Sequence, residues 1–197
     1  MNSQKHFILL FTLILFIQSK LFAQELIEMN EMRTECTTDR HLHAVKLNQA
    51  FNWMQKGNLR RSIEYAEKVI KIDSLSCDAY NIIAMSYYIA NMYDESIENC
   101  IKSLQLNPDN YTAILIKGNS QLELKQYESA IESYNLANRI KPNYHEAIYN
   151  LGLAYYYIKN YKKVIETLNQ VELLKTDETP PKFLRRVYEL KELAQKE

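Results

Sequence analysis

The dipeptide Ile-Glu occurs at Ile63-Glu64, Ile97-Glu98, Ile131-Glu132 and Ile165-Glu166, each pair 34 residues after the last. A chain that repeats itself at this period is made of small units that cannot each bury a core, so it must stack them against one another. Other columns keep the same register. Leu59, Tyr93, Tyr127 and Tyr161 form one, and Ile72, Leu106, Ile140 and Leu174 another.

Each unit reads as two helices joined by a tight turn. In the third, Ile114, Leu115, Leu122 and Leu124 mark a first helix, and Tyr127, Ile131, Tyr134 and Ala137 recur at helical spacing along a second, with the turn near Lys125 and Gln126. A column of Ala50, Ala84, Gly118 and Gly152 fits a close crossing, where a larger side chain would push two backbones apart. Ser62, Ser96 and Ala130 are expected to keep the facing column small, and Val164 to make the fourth unit slightly wider. The chain has only three Gly and four Pro, too few for a fold of hairpins or for glycine-rich phosphate loops. Those it has fall at joints: Gly57 in the first turn, Pro108 and Pro142 where second helices end, and Pro180 and Pro181 after the fourth unit. An all-α fold follows.

A 34-residue helix-turn-helix unit with these small, aromatic and proline positions resembles the tetratricopeptide repeat. Gly118, Tyr127, Ala130, Tyr134, Ala137 and Pro142 of the third unit carry the likeness best. The first unit departs most, with Leu59, Ser62 and Ala66, but keeps Ala50, Trp53 and the Ile-Glu pair. The resemblance implies a right-handed α-solenoid of four repeats, at 43–76, 77–110, 111–144 and 145–178. Residues 179–197, with Phe183, Leu184, Val187, Leu190 and Leu193 among charges, read as a capping helix that shields the last apolar face.

Residues 1–23 stand outside this frame. Lys5 and His6 precede an apolar run from Phe7 to Ile17, and Leu21, Phe22 and Ala23 then lead to Gln24, which reads as a signal peptide cleaved after Ala23. The run is well short of the ~20 residues that span a bilayer as a helix, so the mature chain is expected to have no membrane span. Export to the periplasm or the exterior of a bacterial cell follows as an expectation, with residues 24–42 a polar lead-in. In an oxidising compartment Cys36, Cys77 and Cys100 form an odd set without CxxC spacing. Cys100 is expected inside, Cys77 exposed, and Cys36 available to join two copies in a homo-oligomer. The 24 Lys and Arg balance 24 Asp and Glu, so there is no strong field to draw in nucleic acid.

Catalysis has few candidates. His41, His43 and Cys36 resemble metal ligands only loosely, and an HxH in a polar segment reads first as a solvated pair. No GxSxG, HExxH, GxGxxG or P-loop spacing occurs, and the four Glu of the Ile-Glu pairs read as a solvated outer face. The expectation is therefore of no enzyme, no cofactor and no metal.

Within the resemblance, the second, fifth, ninth, twelfth and thirteenth places of each unit line the concave ligand surface. Here these supply Leu47, Phe51 and Met54 from the first unit and Asn81, Met85, Tyr88 and Ile89 from the second. The third adds Leu115, Asn119 and Leu122, and the fourth Glu146, Tyr149, Leu153, Tyr156 and Tyr157. Leu115, Leu122 and Leu153 read equally well as packing between neighbouring helices. Repeats that clamp a terminal carboxylate place Lys and Asn where this chain has Leu47 and Phe51, so that clamp is absent. Adaptable Met and amphipathic Tyr suit an apolar segment or amphipathic helix of another polypeptide. Three tyrosines burying ~100 Å² each gain about 7 kcal/mol, which only matches the cost of association. The expected partner is thus a peptide or protein covering several units, and the runner-up is self-assembly into an envelope structure.

Overall fold

The computed structural model describes residues 40–175 and 179–196. The signal segment, the lead-in through residue 39 with Cys36, and the side chain of His41 lie outside the described residues. Nine helices and no strand are found among those described: α1 (Arg40–Gln55), α2 (Leu59–Ile70), α3 (Cys77–Ile89), α4 (Tyr93–Leu106), α5 (Tyr111–Glu123), α6 (Tyr127–Ile140), α7 (His145–Tyr157), α8 (Tyr161–Leu174) and α9 (Pro181–Gln195). They form four antiparallel pairs and a final helix. Each helix packs on the next, and the first helices α1, α3, α5 and α7 also touch in succession, as in a stacked α-repeat.

The turns inside the units are built alike. Gly57, Asn91, Lys125 and Lys159, 34 residues apart, all take the left-handed conformation, with φ of 75°, 65°, 61° and 60°. In each turn this residue and its successor close the preceding helix by backbone bonds. Gly57 and Asn58 N–H donate to the Met54 and Trp53 carbonyls, both at 2.9 Å, and Lys159 and Asn160 N–H to those of Tyr156 and Tyr155, also at 2.9 Å. The next helix then starts at once. Asn58 and Asn160 cap α2 and α8 by accepting from the Arg61 and Lys163 N–H, and Ser76 and Asn110 cap α3 and α5 in the same way.

Inside each unit, the small column on the first helix meets residues of complementary size on the second. A Cβ on Gly118 would lie 2.8 Å from Tyr134 Cε1, and one on Gly152 would lie 2.8 Å from Leu168 Cδ2. The positions in register with Tyr134 and Leu168 in the first two units are Ala66 and Cys100, and there the small column holds Ala50 and Ala84. Glycine thus stands opposite the large partners and alanine opposite the small ones. The serine column serves a different contact from the one expected. Ser62 and Ser96 bond across the seam to Ser86 and Ser120 of the following unit, while the glycine column is covered by Tyr134 and Leu168.

The core runs along the array in three connected clusters: one through the first two units to Ile116, one around Tyr134 and Tyr144, and one joining the fourth unit to α9. Phe183, Val187 and Leu190 of α9 are buried against Ile148, Val164 and Leu168. The four Glu of the Ile-Glu pairs are exposed and their Ile neighbours half-buried, as a solvated outer face requires. The Cys77 thiol position departs from expectation. The residue is buried rather than exposed and is disulfide-bonded, because it opens α3 against the end of the first unit. Cys100 is a buried free thiol, as expected. Among the described residues no helix is long and apolar enough to cross a membrane.

Candidate functional site

The stripe on the first helices divides into a packed floor and an open rim. Phe51, Met54, Asn81, Met85, Tyr88, Asn119 and Tyr149 are buried, Leu47, Ile89, Leu153 and Tyr156 are half-buried, and Tyr157 is 47% exposed. Leu115 is buried, and Leu122 and Glu146 are half-buried. Phe51, Met54, Met85 and Tyr88 belong to the first core cluster, with Leu47, Ile89 and Tyr93 packed on it. Successive first helices touch one another, and residues of this stripe enter the core clusters that run between units.

Asn81 is committed to the fold. Its Oδ1 accepts from Ser103 Oγ at 2.8 Å and from Asn110 Nδ2 at 3.2 Å, and Asn110 Nδ2 also lies 2.8 Å from Ser103 Oγ. All three residues are fully buried, so this network ties the second unit to the start of the third. Asn119 likewise accepts from Tyr134 Oη and from Asn150 Nδ2, both at 2.9 Å.

The rim is a row of tyrosines. Tyr88 and Tyr93 rings lie 5.8 Å apart, Tyr127 stacks on Tyr157 at 5.2 Å with 14° between planes, and Tyr156 reaches Tyr157 at 6.4 Å and Tyr161 at 5.7 Å. Tyr93, Tyr127, Tyr156 and Tyr161 are half-buried, each keeping an edge in water. Glu123 stands among them, its carboxylate accepting from the hydroxyls of Tyr88 and Tyr93. Burial first, and the Glu123 charge second, push Tyr93 and Tyr157 up to about 12. Tyr88 is held higher still by the same two causes, and Tyr134 is raised above all by burial. Both forces keep the rim hydroxyls protonated, as donors, at ordinary pH.

Glu123 was not among the residues expected here, although it holds the thirteenth place of the third unit, where Ile89 and Tyr157 stand in the second and fourth. Arg186 was also unexpected. It is buried on α9 with its guanidinium 4.4 Å from the Tyr149 ring centroid, and Phe183 meets the same ring at 5.9 Å. The capping helix thus meets Tyr149 through Arg186 and Phe183 as well as closing the core.

The remaining sequence candidates lie elsewhere. His43, expected in a solvated pair, is instead buried in the first turns of α1 with Nε2 4.0 Å from Asp73 Oδ2. No group of three metal-ligating side chains occurs among the described residues.

Family models fall on this frame. A TPR repeat model matches residues 118–157, and a tetratricopeptide repeat model matches 78–110 and 145–177. The chain carries tetratricopeptide repeats. Solved tetratricopeptide-repeat structures share its fold. The crystal structure of MamA superposes with a TM-score of 0.65 at 24% identity over 75% of this chain and 82% of that one. A thermophilic TPR protein of Thermus thermophilus, TTC0263, gives 0.66 at 17% identity over 75% and 80%. The second TPR domain of human RPAP3, solved in complex with an HSP70 peptide, gives 0.54 at 19% identity over 59% and 98%. No curated protein sequence matches the chain. The repeats support a protein–protein interaction scaffold.

Proposed function

We propose that this chain is an exported scaffold or escort, periplasmic or secreted, that holds a peptide or protein segment along its concave face. The row of partly open tyrosines from Tyr93 to Tyr161 carries the reading, because such side chains offer large apolar area with a polar edge that stays hydrogen-bonded. The buried floor of Phe51, Met54, Met85, Tyr88 and Tyr149 supports that row, and Tyr157, Tyr156, Leu153, Ile89 and Leu47 offer the surface a partner meets. The bound peptide of the human RPAP3 domain supports this use of a similar fold. The balanced charge of the chain supports a polypeptide rather than a nucleic acid as partner.

A photo-crosslinking residue in place of Tyr157, with exposed Glu98 of α4 as the control position, tests the reading in cell envelope. Adducts to another protein from position 157 alone, lost when Tyr127 is changed to Ala, support it. Adducts from both positions alike remove the concave face from the proposal. An adduct to a second copy of this chain favours the alternative, a self-assembling structural component.

A further inference from the structure

We propose that the segment held along the tyrosine row carries a lysine or arginine, whose cation enters a cage formed by Glu123 with Tyr93, Tyr127 and Tyr157. The inference rests on the reading that a partner lies along that row, and it names the chemistry of one of the partner's side chains. Glu123 ends α5, Tyr93 and Tyr127 open α4 and α6, and Tyr157 ends α7. All four therefore gather at the turns inside the second, third and fourth units. Tyr127 stacks on Tyr157 at 5.2 Å across the seam between the third and fourth units. The Glu123 carboxylate accepts from Tyr88 and Tyr93 across the seam between the second and third. After burial, the Glu123 charge is also the largest influence on Tyr157. One half-buried carboxylate thus stands with rings from three units around it.

Any segment that covers these tyrosines also covers Glu123. Taking a carboxylate out of water without an opposite charge is costly, and two tyrosine hydroxyls fill only part of its capacity to accept hydrogen bonds. A lysine or arginine answers both needs, because its head pairs with the carboxylate while its apolar stem lies along the rings. The ring faces add their own attraction for a cation, whereas an anionic segment meets repulsion from Glu123. The chain already uses this pairing within its own fold. Lys141 stands over the rings of Tyr111 and Tyr144 at 4.6 and 4.5 Å, and Arg186 over Tyr149 at 4.4 Å. Among the described residues no Lys or Arg lies over Tyr93, Tyr127 or Tyr157, where the carboxylate stands instead. Arg186 does act on Tyr88, but more weakly than Glu123 does.

The probes are pools of short synthetic peptides with acetylated N-termini, random among uncharged residues except for a fixed central Lys, Arg, Gln, Leu or Glu. The full chain is expected to retain the Lys and Arg pools about threefold or more above the others. That excess should shrink as sodium chloride is raised from about 0.05 M to about 0.5 M. A water-soluble carbodiimide, which joins an amine to a carboxylate in contact with it, should couple the Lys pool to Glu123 of the wild-type chain, as located by peptide mass spectrometry. In Glu123→Gln, with folding checked by circular dichroism, the ratio of Lys to Gln retention should fall towards one. No excess for the cationic pools, coupling confined to other carboxylates, or an excess that folded Glu123→Gln keeps, overturns the inference. The coupling is read on wild type, so the matter is decided even if the variant misfolds. After any of these results, retention of the Leu pool that drops in Tyr157→Ala still upholds a partner on the tyrosine row. Retention of no pool above an unrelated protein sinks both readings.

Discussion

The hydroxyls of Ser62 and Ser86 are bonded at 3.0 Å across the seam between the first two units, and both residues are fully buried. The same bond recurs 34 residues later between Ser96 and Ser120, at 2.9 Å. At the third seam the corresponding residues are Ala130 and Ala154, both fully buried. Each seam is therefore matched, hydroxyl with hydroxyl or methyl with methyl, which avoids the cost of leaving one buried polar group alone.

Ser86 also bonds the Ile82 carbonyl at 2.8 Å, so the two members of the pair are not equivalent. Ser86→Ala strands the Ser62 hydroxyl and is expected to cost about 1–3 kcal/mol, whereas Ser62→Ala leaves Ser86 a partner and costs about 1 kcal/mol. The double variant should cost less than the sum by ~0.5 kcal/mol or more in urea unfolding. Additive costs would show that the seam bond contributes nothing.

Gly118 and Tyr134 give a prediction that changes sign with its background. Adding a methyl at Gly118 gains about 0.5–1 kcal/mol of helix propensity but drives a Cβ to 2.8 Å from the Tyr134 ring, an overpacking cost of ~1–3 kcal/mol. Gly118→Ala should therefore destabilise wild type and stabilise the Tyr134→Ala variant. Thermal midpoints of the four proteins decide it, and destabilisation in both backgrounds would mean that something other than the ring opposes the methyl.

The left-handed turn column separates conformation from contact. Nothing lies within 4 Å of a Cβ built on Gly57, so Gly57→Ala is expected to cost about 1 kcal/mol through φ alone. The reverse change, Lys159→Gly, relieves the same strain at a matched position and should be neutral to stabilising by about 1 kcal/mol. Equal losses from both would show that side-chain contacts, not backbone conformation, govern these turns.

The architecture was legible because the period, the glycines and the prolines all report local geometry. The pairing of Gly118 with Tyr134 and of Gly152 with Leu168 was not, since it depends on how far one helix slides along the other. The stripe on the first helices is a set of spaced positions, and Glu123 stands at its thirteenth place, in register with Ile89 and Tyr157. Which of those positions stay open was not legible, because Phe51, Met85 and Tyr88 are buried in a core cluster that draws on both of the first two units. His43 and Arg186 depend on a turn some thirty residues away and on the docking of α9, neither of which a spacing records.

Alkaline titration tests the placement of Glu123. Burial, then the Glu123 charge, raise Tyr93 and Tyr157 to about 12 in the folded chain, against an unfolded value near 10. A folded value above the unfolded one means that the native state holds its protons longer. The stability these hydroxyls contribute is thus complete below pH ~10 and is lost as pH rises from there towards ~12. Both side chains are partly exposed, so the loss is gradual and accompanied by solvent screening. Tyrosinate absorbance followed against pH should show a late-titrating group of tyrosines in wild type. In Glu123→Gln part of that group should move down, because the charge is gone while burial remains. An unchanged profile would place the carboxylate away from the tyrosine row, and a complete return to the ordinary tyrosine range would make the charge, rather than burial, the larger cause.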